Sequence, residues 1–181
     1  RSGVGASSPD PYAHEDAGST DGDRQGLLTL LERLRDPQGS NGLTEQDMQN
    51  IAVRMSDEGL VIEIFSREDA ELFREPGDLP TERLDRLLDG IAELLDLVTN
   101  PIAVTGHTRA RPIVMAENPV WDRSVARATR ARSRLAAQID EDRIQRVSGQ
   151  ADRSPAARDP MALRNDRLEI VVLLNEPGDG G

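Results

Sequence analysis

The chain is 181 residues long and carries a net charge of −11, and all 22 of its basic residues are Arg. So acidic a balance argues against nucleic acid as a general partner, because phosphate binding needs a cationic footprint. The absence of Cys excludes disulfides and thiolate zinc sites, and with 2% aromatic residues a core has to rest on Leu, Ile, Val and Ala. The length suits one domain with tails. No apolar run approaches the roughly 20 residues that span a bilayer, and no signal peptide is visible. A first residue of Arg reads as a processed protein or a soluble fragment.

Residues 1–23 are rich in Gly, Ser, Pro and Asp and nearly devoid of apolar side chains. Such a segment buries too little surface to offset its ordering entropy and reads as linker. Within residues 24–36, Leu27, Leu28, Leu30, Leu31 and Leu34 mark a short amphipathic helix. Alone it is marginal in water, so it needs a surface to pack on. Residues 1–43 therefore read as a flexible linker carrying this helix, residues 44–176 as a domain, and 177–181 as a tail. Thr44 with Asp47 resembles a capping box. Strands over 51–55 and 60–65 flank the turn Ser56-Asp57-Glu58-Gly59.

Residues 66–79 read as a loop, and Pro80 suits the first position of a helix. That helix carries Leu84, Leu87, Leu88, Ile91, Leu94, Leu95 and Val98 at helical spacing, and Asn100-Pro101 stops it. A strand over 102–106 and a polar loop to 118 come next. A helix over 119–139 then turns Val125, Ala128, Leu135 and Ile139 inward. Strands over 144–148 and 168–174 complete the order β-β-α-β-α-β-β. This order predicts an α+β two-layer sandwich, a mixed β-sheet with helices on one face. The near-continuous apolar run of the last strand places it centrally or between covered faces.

The stretch 102–111, IAVTGHTRAR, joins a strand, a glycine turn and a polar loop ahead of an arginine-rich helix. Small and charged groups are thereby set at the mouth of a sheet, where ligands bind. His107 is a lone histidine in the domain, without Cys or clustered carboxylates at ligand spacing, and makes a poor metal site. No nucleophile elbow or phosphate-cradling glycine loop is present. Metal, cofactor and catalysis are accordingly not expected. Arg123, Arg127, Arg130 and Arg134 fall on one helical stripe, and residues 109–134 hold seven Arg against Glu117 and Asp122. Arg130 and Arg134 are as well explained by a solvated face balanced by acidic neighbours. Arg127 faces back to the 105–109 loop, where a guanidinium can grip a carboxylate with two parallel hydrogen bonds.

TGHTR (105–109), WDRSVARA (121–128), RIQRVSGQA (143–151) and RNDRLEIVVL (164–173) resemble the OmpA-like peptidoglycan-binding domain. The family pattern reads TGHTD, N-x-x-LS-x-x-RA, R-V-x-G and NRRVEI, in this order and at these spacings. Upstream, DEGLVIEIFSREDAELFREPGDLP (57–80) is similar to the segment that opens the same domain in flagellar stator subunits of the MotB type. The resemblance covers about residues 50–175. It implies a non-catalytic, non-covalent hold on the cell wall. In the family the aspartate of TGHTD takes the ammonium of diaminopimelate in the wall peptide, and the arginine of S-x-x-RA takes its carboxylate.

Carried over, Thr108, Arg127 and Arg167 match the family's binding positions, while Arg109 stands where the aspartate would. Val120 replaces the asparagine ahead of LS, Arg123 replaces the leucine, and Asp166 replaces the first arginine of NRR. Val120, Arg123 and Asn165 are further binding candidates. A cation about 4 Å from an ammonium costs about 4 kcal/mol at an effective dielectric near 20. Arg109 therefore implies another carboxylate (Glu117 or Asp122), recognition of the ligand's carboxylates alone, or a different anchoring mode. Beyond the site, the resemblance implies a periplasmic homodimer, tethered to the inner membrane by a transmembrane helix absent from this chain. It also implies a membrane-embedded partner subunit of the MotA type. The alternative is an OmpA-like wall-binding domain of an envelope protein unconnected with motility.

Overall fold

A computed structural model describes residues 16–36, 42–75, 78–112 and 119–176, with the side chains of 16–20 excepted. The expected linker over 1–15, the break at 37–41, Glu117 and the tail at 177–181 lie outside the described residues. The helices are α1 (Asp16–Arg35), α2 (Glu45–Met48), α3 (Glu82–Leu95) and α4 (Val120–Ala136). The strands are β1 (Ile51–Met55), β2 (Gly59–Phe65), β3 (Phe73–Arg74), β4 (Leu79–Pro80), β5 (Ile102–His107), β6 (Ile144–Gly149) and β7 (Arg167–Leu173).

Five strands form one sheet in the order β1-β2-β7-β5-β6. Neighbours are antiparallel except β5 and β6, which run parallel. A parallel pair needs a crossover, and α4 supplies it. Alternate residues of a strand face the same side. Leu60, Ile62 and Ile64 of β2 and Leu168, Ile170 and Val172 of β7 thus join Ile102 and Val104 of β5 in the core. They meet Leu84, Leu87, Leu88, Ile91 and Leu95 of α3 and Ala128, Ala131 and Leu135 of α4. The architecture is the two-layer α+β sandwich, with β7 at its centre. At about 1.5–3 kcal/mol per fully buried side chain, the leucine face of α3 is a main support of that core.

Several local details differ from the sequence reading. Helix α1 begins at Asp16 rather than Arg24. Its early turns contain Gly18 and Gly22, which disfavour helix, but a tertiary knot offsets them. The Asp23 carboxylate accepts from Asn100 Nδ2 (2.8 Å) and from the backbone and side-chain amides of Asn175 (2.8 and 3.0 Å). Leu27, Leu30, Leu31 and Leu34 then enter the same core as the sheet. The segment 66–79 is not wholly loop, because β3 and β4 pair there as a separate two-stranded ribbon. Pro80 belongs to that ribbon, and Thr81 caps α3 by accepting the Leu84 N–H at 3.3 Å. Val125 is 37% exposed instead of inward. The buried face of α4 is Ser124, Arg127, Ala128, Ala131 and Leu135, so Val125 is rotated off it, over the edge strand at Gly149. The Thr44–Asp47 capping box is present as read.

Candidate functional site

The seat of α4 is set by two glycines and one serine. A Cβ on Gly106 of β5 would lie 2.0 Å from the Ser124 carbonyl oxygen, and one on Gly149 of β6 would lie 2.4 Å from Ser124 Oγ. Only hydrogen at both positions lets the helix come so close to the sheet. Ser124 is wholly buried there. Its hydroxyl donates to Trp121 O (2.8 Å) and accepts the Ala151 N–H (3.0 Å). Ala151 adopts φ +51°, and its carbonyl accepts the Thr108 N–H at 2.9 Å. The loops that follow β5 and β6 are thus laced to the helix, and Arg127, three residues on from Ser124, comes to the end of β5.

Arg127 is 1% exposed. Its Nη1 donates to Asp166 Oδ1 (2.7 Å) and His107 O (3.3 Å), and its Nε and Nη2 donate to Asp78 Oδ1 at 3.1 and 2.6 Å. Below it lies the Phe73 ring, 4.2 Å away, a cation–π contact. The two-bond grip on a carboxylate expected of this residue exists, and the carboxylate belongs to the chain itself. Burial works against the charge of Arg127. The hydrogen bonds of Asp78 and the charges of Asp166 and Asp78 outweigh burial and hold its pKa above the ordinary arginine value. Asp78 reaches this position with φ +53°, a left-handed conformation that Asp tolerates better than most residues.

A second fork stands beside the first. Arg123 grips Glu75 through Nη1 (3.1 Å) and Nη2 (2.8 Å), and Arg111 Nη2 donates to the same carboxylate. The Arg123 hydrogen bonds, joined by those of Arg111, hold Glu75 down to about 2 against partial burial. Arg130 donates to the Asp78 carbonyl oxygen. Three arginines thus close on the two carboxylates that lie between β3 and β4, and a fourth, Arg130, on the backbone beside them. Arg134 lies apart, paired with Asp89 at 2.6 Å.

Arg109 donates its backbone N–H to Asp166 Oδ1 (2.9 Å), and its Nε stands 3.5 Å from Asp166 Oδ2. The resemblance implied a carboxylate at 109 and an arginine at 166. In this chain the two charges are exchanged across the pair, and a carboxylate still lies against Arg127. Asp122, the carboxylate weighed as a substitute, is exposed in the first turn of α4. Thr108 is buried beside Arg109, and its hydroxyl has no hydrogen-bond partner among the described residues. Val120 is buried under the start of α4.

Asn165 fastens a loop. Its Oδ1 accepts the N–H groups of Ala156 and Ala157 (2.7 and 2.9 Å), and its Nδ2 donates to Asp159 O and Pro160 O. Arg167 opens β7 opposite His107 and alternates away from inward-facing Leu168. Its Nη2 donates to Ser154 O (2.8 Å) and to Glu169 Oε1 (3.2 Å). Arg167 therefore sits on the helix-free face and does not converge with Arg127. On that face His107 Nε2 lies 3.4 Å from Glu169 Oε1. His107 and then Arg167 hold Glu169 down to about 2 against its burial. Among the described residues no group of three or more His, Asp or Glu is placed to hold a metal ion, and no helix is long and apolar enough to cross a membrane.

Sequence reasoning missed Glu75, Asp78, Phe73 and the exchanged Asp166. One signal was available, since Glu75 and Asp78 flank Pro76-Gly77 in sequence, a dipeptide that marks a turn. Two acids at a turn face the same neighbourhood.

The mixed sheet with one helix layer, and the cradle at the β5–α4 junction, define an α+β domain of the OmpA-like class. No family model matches the chain. The T6SS cell wall anchor of Pseudomonas aeruginosa superposes with a TM-score of 0.60 and 28% identity, over 84% of this chain and 99% of that one. A MotB-like protein from Desulfovibrio vulgaris superposes with a TM-score of 0.65 and 18% identity, over 88% and 96%. The periplasmic domain of Helicobacter pylori MotB does so at 0.57 and 19%, over 69% and 82%. In sequence the chain is 30% identical over 132 residues to a protein from Escherichia coli named for flagellar export or assembly, LafU. That alignment covers 72% of this chain and 43% of LafU, and a truncated LafU is matched over 63% of its length. The chain thus shares the fold of the MotB periplasmic domains and of the T6SS cell wall anchor.

Proposed function

We propose that this domain anchors an envelope assembly to the cell wall by holding peptidoglycan non-covalently at the arginine cradle. The observation that carries the reading is the pair of guanidinium forks at the end of β5, each already engaged with a carboxylate. Planar forks suit carboxylates, and the diaminopimelate-containing stem peptide of the wall offers them. Thr108, Arg109, Arg123 and Arg127, with Asp166 supplying the carboxylate, are the residues assigned to the hold. Arg167 and Asn165 support it through the loop they fasten. The hold requires no catalysis and no cofactor.

In its finer form the reading is the periplasmic part of a flagellar stator subunit. Residues 44–176, with α1 docked in their core, are the wall-binding unit, and the chain ahead of α1 connects it to an inner-membrane helix. A MotA-type partner and a second copy complete the assembly. The likeness to LafU and MotB supports this form. An anchor outside motility is favoured by one specific observation, the alignment of the T6SS cell wall anchor over 99% of its length at 28% identity.

Retention on purified peptidoglycan sacculi tests the anchoring. Arg127→Ala and Arg123→Ala each remove a charge-assisted grip of about 1.5–3 kcal/mol, so retention should fall about tenfold to a hundredfold. Undiminished retention of both folded variants would overturn it. A gene deletion that abolishes swimming supports the stator form, and one that leaves swimming intact supports the other.

A further inference from the structure

The ribbon that covers the cradle is attached in an unusual way. Strands β3 and β4 pair only with each other among the described residues, through Phe73–Pro80 and Arg74–Leu79. Leu72 and Phe73 anchor its base in the core, while Leu79 on the far strand is 58% exposed. What holds the remainder to α4 is charge. Glu75 takes Arg111 and Arg123, Asp78 takes the Arg127 fork, and the Asp78 carbonyl takes Arg130. Each carboxylate is bound as an external carboxylate would be, by two parallel hydrogen bonds from one guanidinium.

The two forks are neighbours on one stripe of α4, so their occupants must be two carboxylates a short distance apart. Around them lie buried polar atoms without partners among the described residues, the Thr108 hydroxyl and Arg111 Nε. A site closed only on its own ribbon leaves such atoms unused, at a desolvation penalty. They are available to a ligand with more polar atoms than two side chains bring.

Resting on the anchoring reading above, we propose that Glu75 and Asp78 are internal occupants of a site for a peptide carrying two carboxylates. Such a ligand enters by displacing the ribbon tip from both forks, while Leu72 and Phe73 keep its base in place. The affinity measured from outside is then the intrinsic affinity reduced by the fraction of molecules with the tip displaced. Neutralising an internal carboxylate removes the competitor and tightens binding. This is the reverse of what a carboxylate that contacts the ligand's ammonium would do.

Calorimetric titration with γ-glutamyl-diaminopimelate, which carries three carboxylates, and with the same dipeptide amidated at two of them, tests the proposal alongside sacculus retention. Glu75→Gln, at a part-exposed position, and Asp78→Asn should each tighten dipeptide binding, by up to about tenfold if the two carboxylates are displaced about a tenth of the time. Amidation should weaken binding to the wild type. Because Asp78→Asn leaves Arg127 short of a partner and can unfold the protein, wild-type hydrogen exchange gives an independent readout. Dipeptide binding should speed exchange at Arg74 and Leu79. Wild-type protein that is retained by sacculi, while Glu75→Gln binds no tighter and the ribbon amides gain protection, overturns the internal occupant and leaves the anchoring intact. Failure of wild-type protein to be retained by sacculi, and of every form to bind dipeptide, overturns the anchoring and this inference with it.

Discussion

Reversing the charge at Arg109 alone probes the site most directly. Arg109→Asp removes a guanidinium whose Nε stands 3.5 Å from Asp166 Oδ2 and sets a second carboxylate beside it. Two unit charges 3.5 Å apart interact by about 5 kcal/mol at an effective dielectric near 20. The Arg109 side chain is 30% exposed, so solvent and salt screen most of this, and the expected loss of stability is about 1–2 kcal/mol. Asp166→Arg should cost more. Its carboxylate is 8% exposed and supplies the 2.7 Å partner of Arg127 Nη1, and breaking a buried pair costs about 3–5 kcal/mol. The double variant Arg109→Asp/Asp166→Arg restores opposite charges across the same gap, so its loss should fall short of the summed single losses by about 2 kcal/mol. Urea unfolding followed by circular dichroism measures all four proteins, with the slope m unchanged if only stability moves. A coupling below about 0.5 kcal/mol would refute the view that the two positions exchanged charge as a unit.

Three further outcomes are expected. Gly106→Ala forces a Cβ to within 2.0 Å of the Ser124 carbonyl, and since both sides are backbone it should cost about 3 kcal/mol by calorimetry; a loss under about 1 kcal/mol would mean that α4 shifts freely. Glu169 is held at about 2, below the ordinary 4.5, so its contribution is complete above pH 4.5 and is lost as pH falls towards 2, at most about 3 kcal/mol in all. Glu169→Gln should flatten that acid limb of the stability curve, and an unaltered slope would rule out the pairing. Amides from Leu27 to Leu34 should resist hydrogen exchange far better than a free helix of that length, and Leu30→Ala should cost about 2–5 kcal/mol; exchange within seconds in the intact protein would mean that α1 does not stay docked in solution.

The parts of the fold legible in the sequence are those whose signal is local. The leucines of α3 recur at helical spacing, β2 alternates, and β7 reads as covered because almost every residue is apolar. The arginine stripe of α4 was legible for the same reason. Its partners were not. Asp78 reaches Arg127 across 49 residues and Asp166 across 39, from segments whose own pattern shows only a turn and the entry to a strand. Gly106 read as part of a turn, while its structural role, shared with Gly149, is to admit Ser124. The early start of α1 depends on Asn100 and Asn175, 77 and 152 residues from Asp23, which no local propensity encodes. Arg167 matched a motif, yet strand alternation turned it to the other face.

Asp166, where Arg109 and Arg127 meet, immediately precedes β7, and Asn175, which binds Asp23 of α1, lies just beyond its end. The central strand therefore runs from the cradle to the knot that fastens the N-terminal helix. Tension between the cradle and the chain ahead of α1 is directed along that strand. Both neighbours, β2 and β5, run antiparallel to it, and their hydrogen bonds lie across the line of pull. The two ladders are loaded together in shear and do not open one bond at a time. The three hydrogen bonds of Asp23 stand ahead of the leucine face and take the load first. Yielding would begin at the helix and leave the cradle intact.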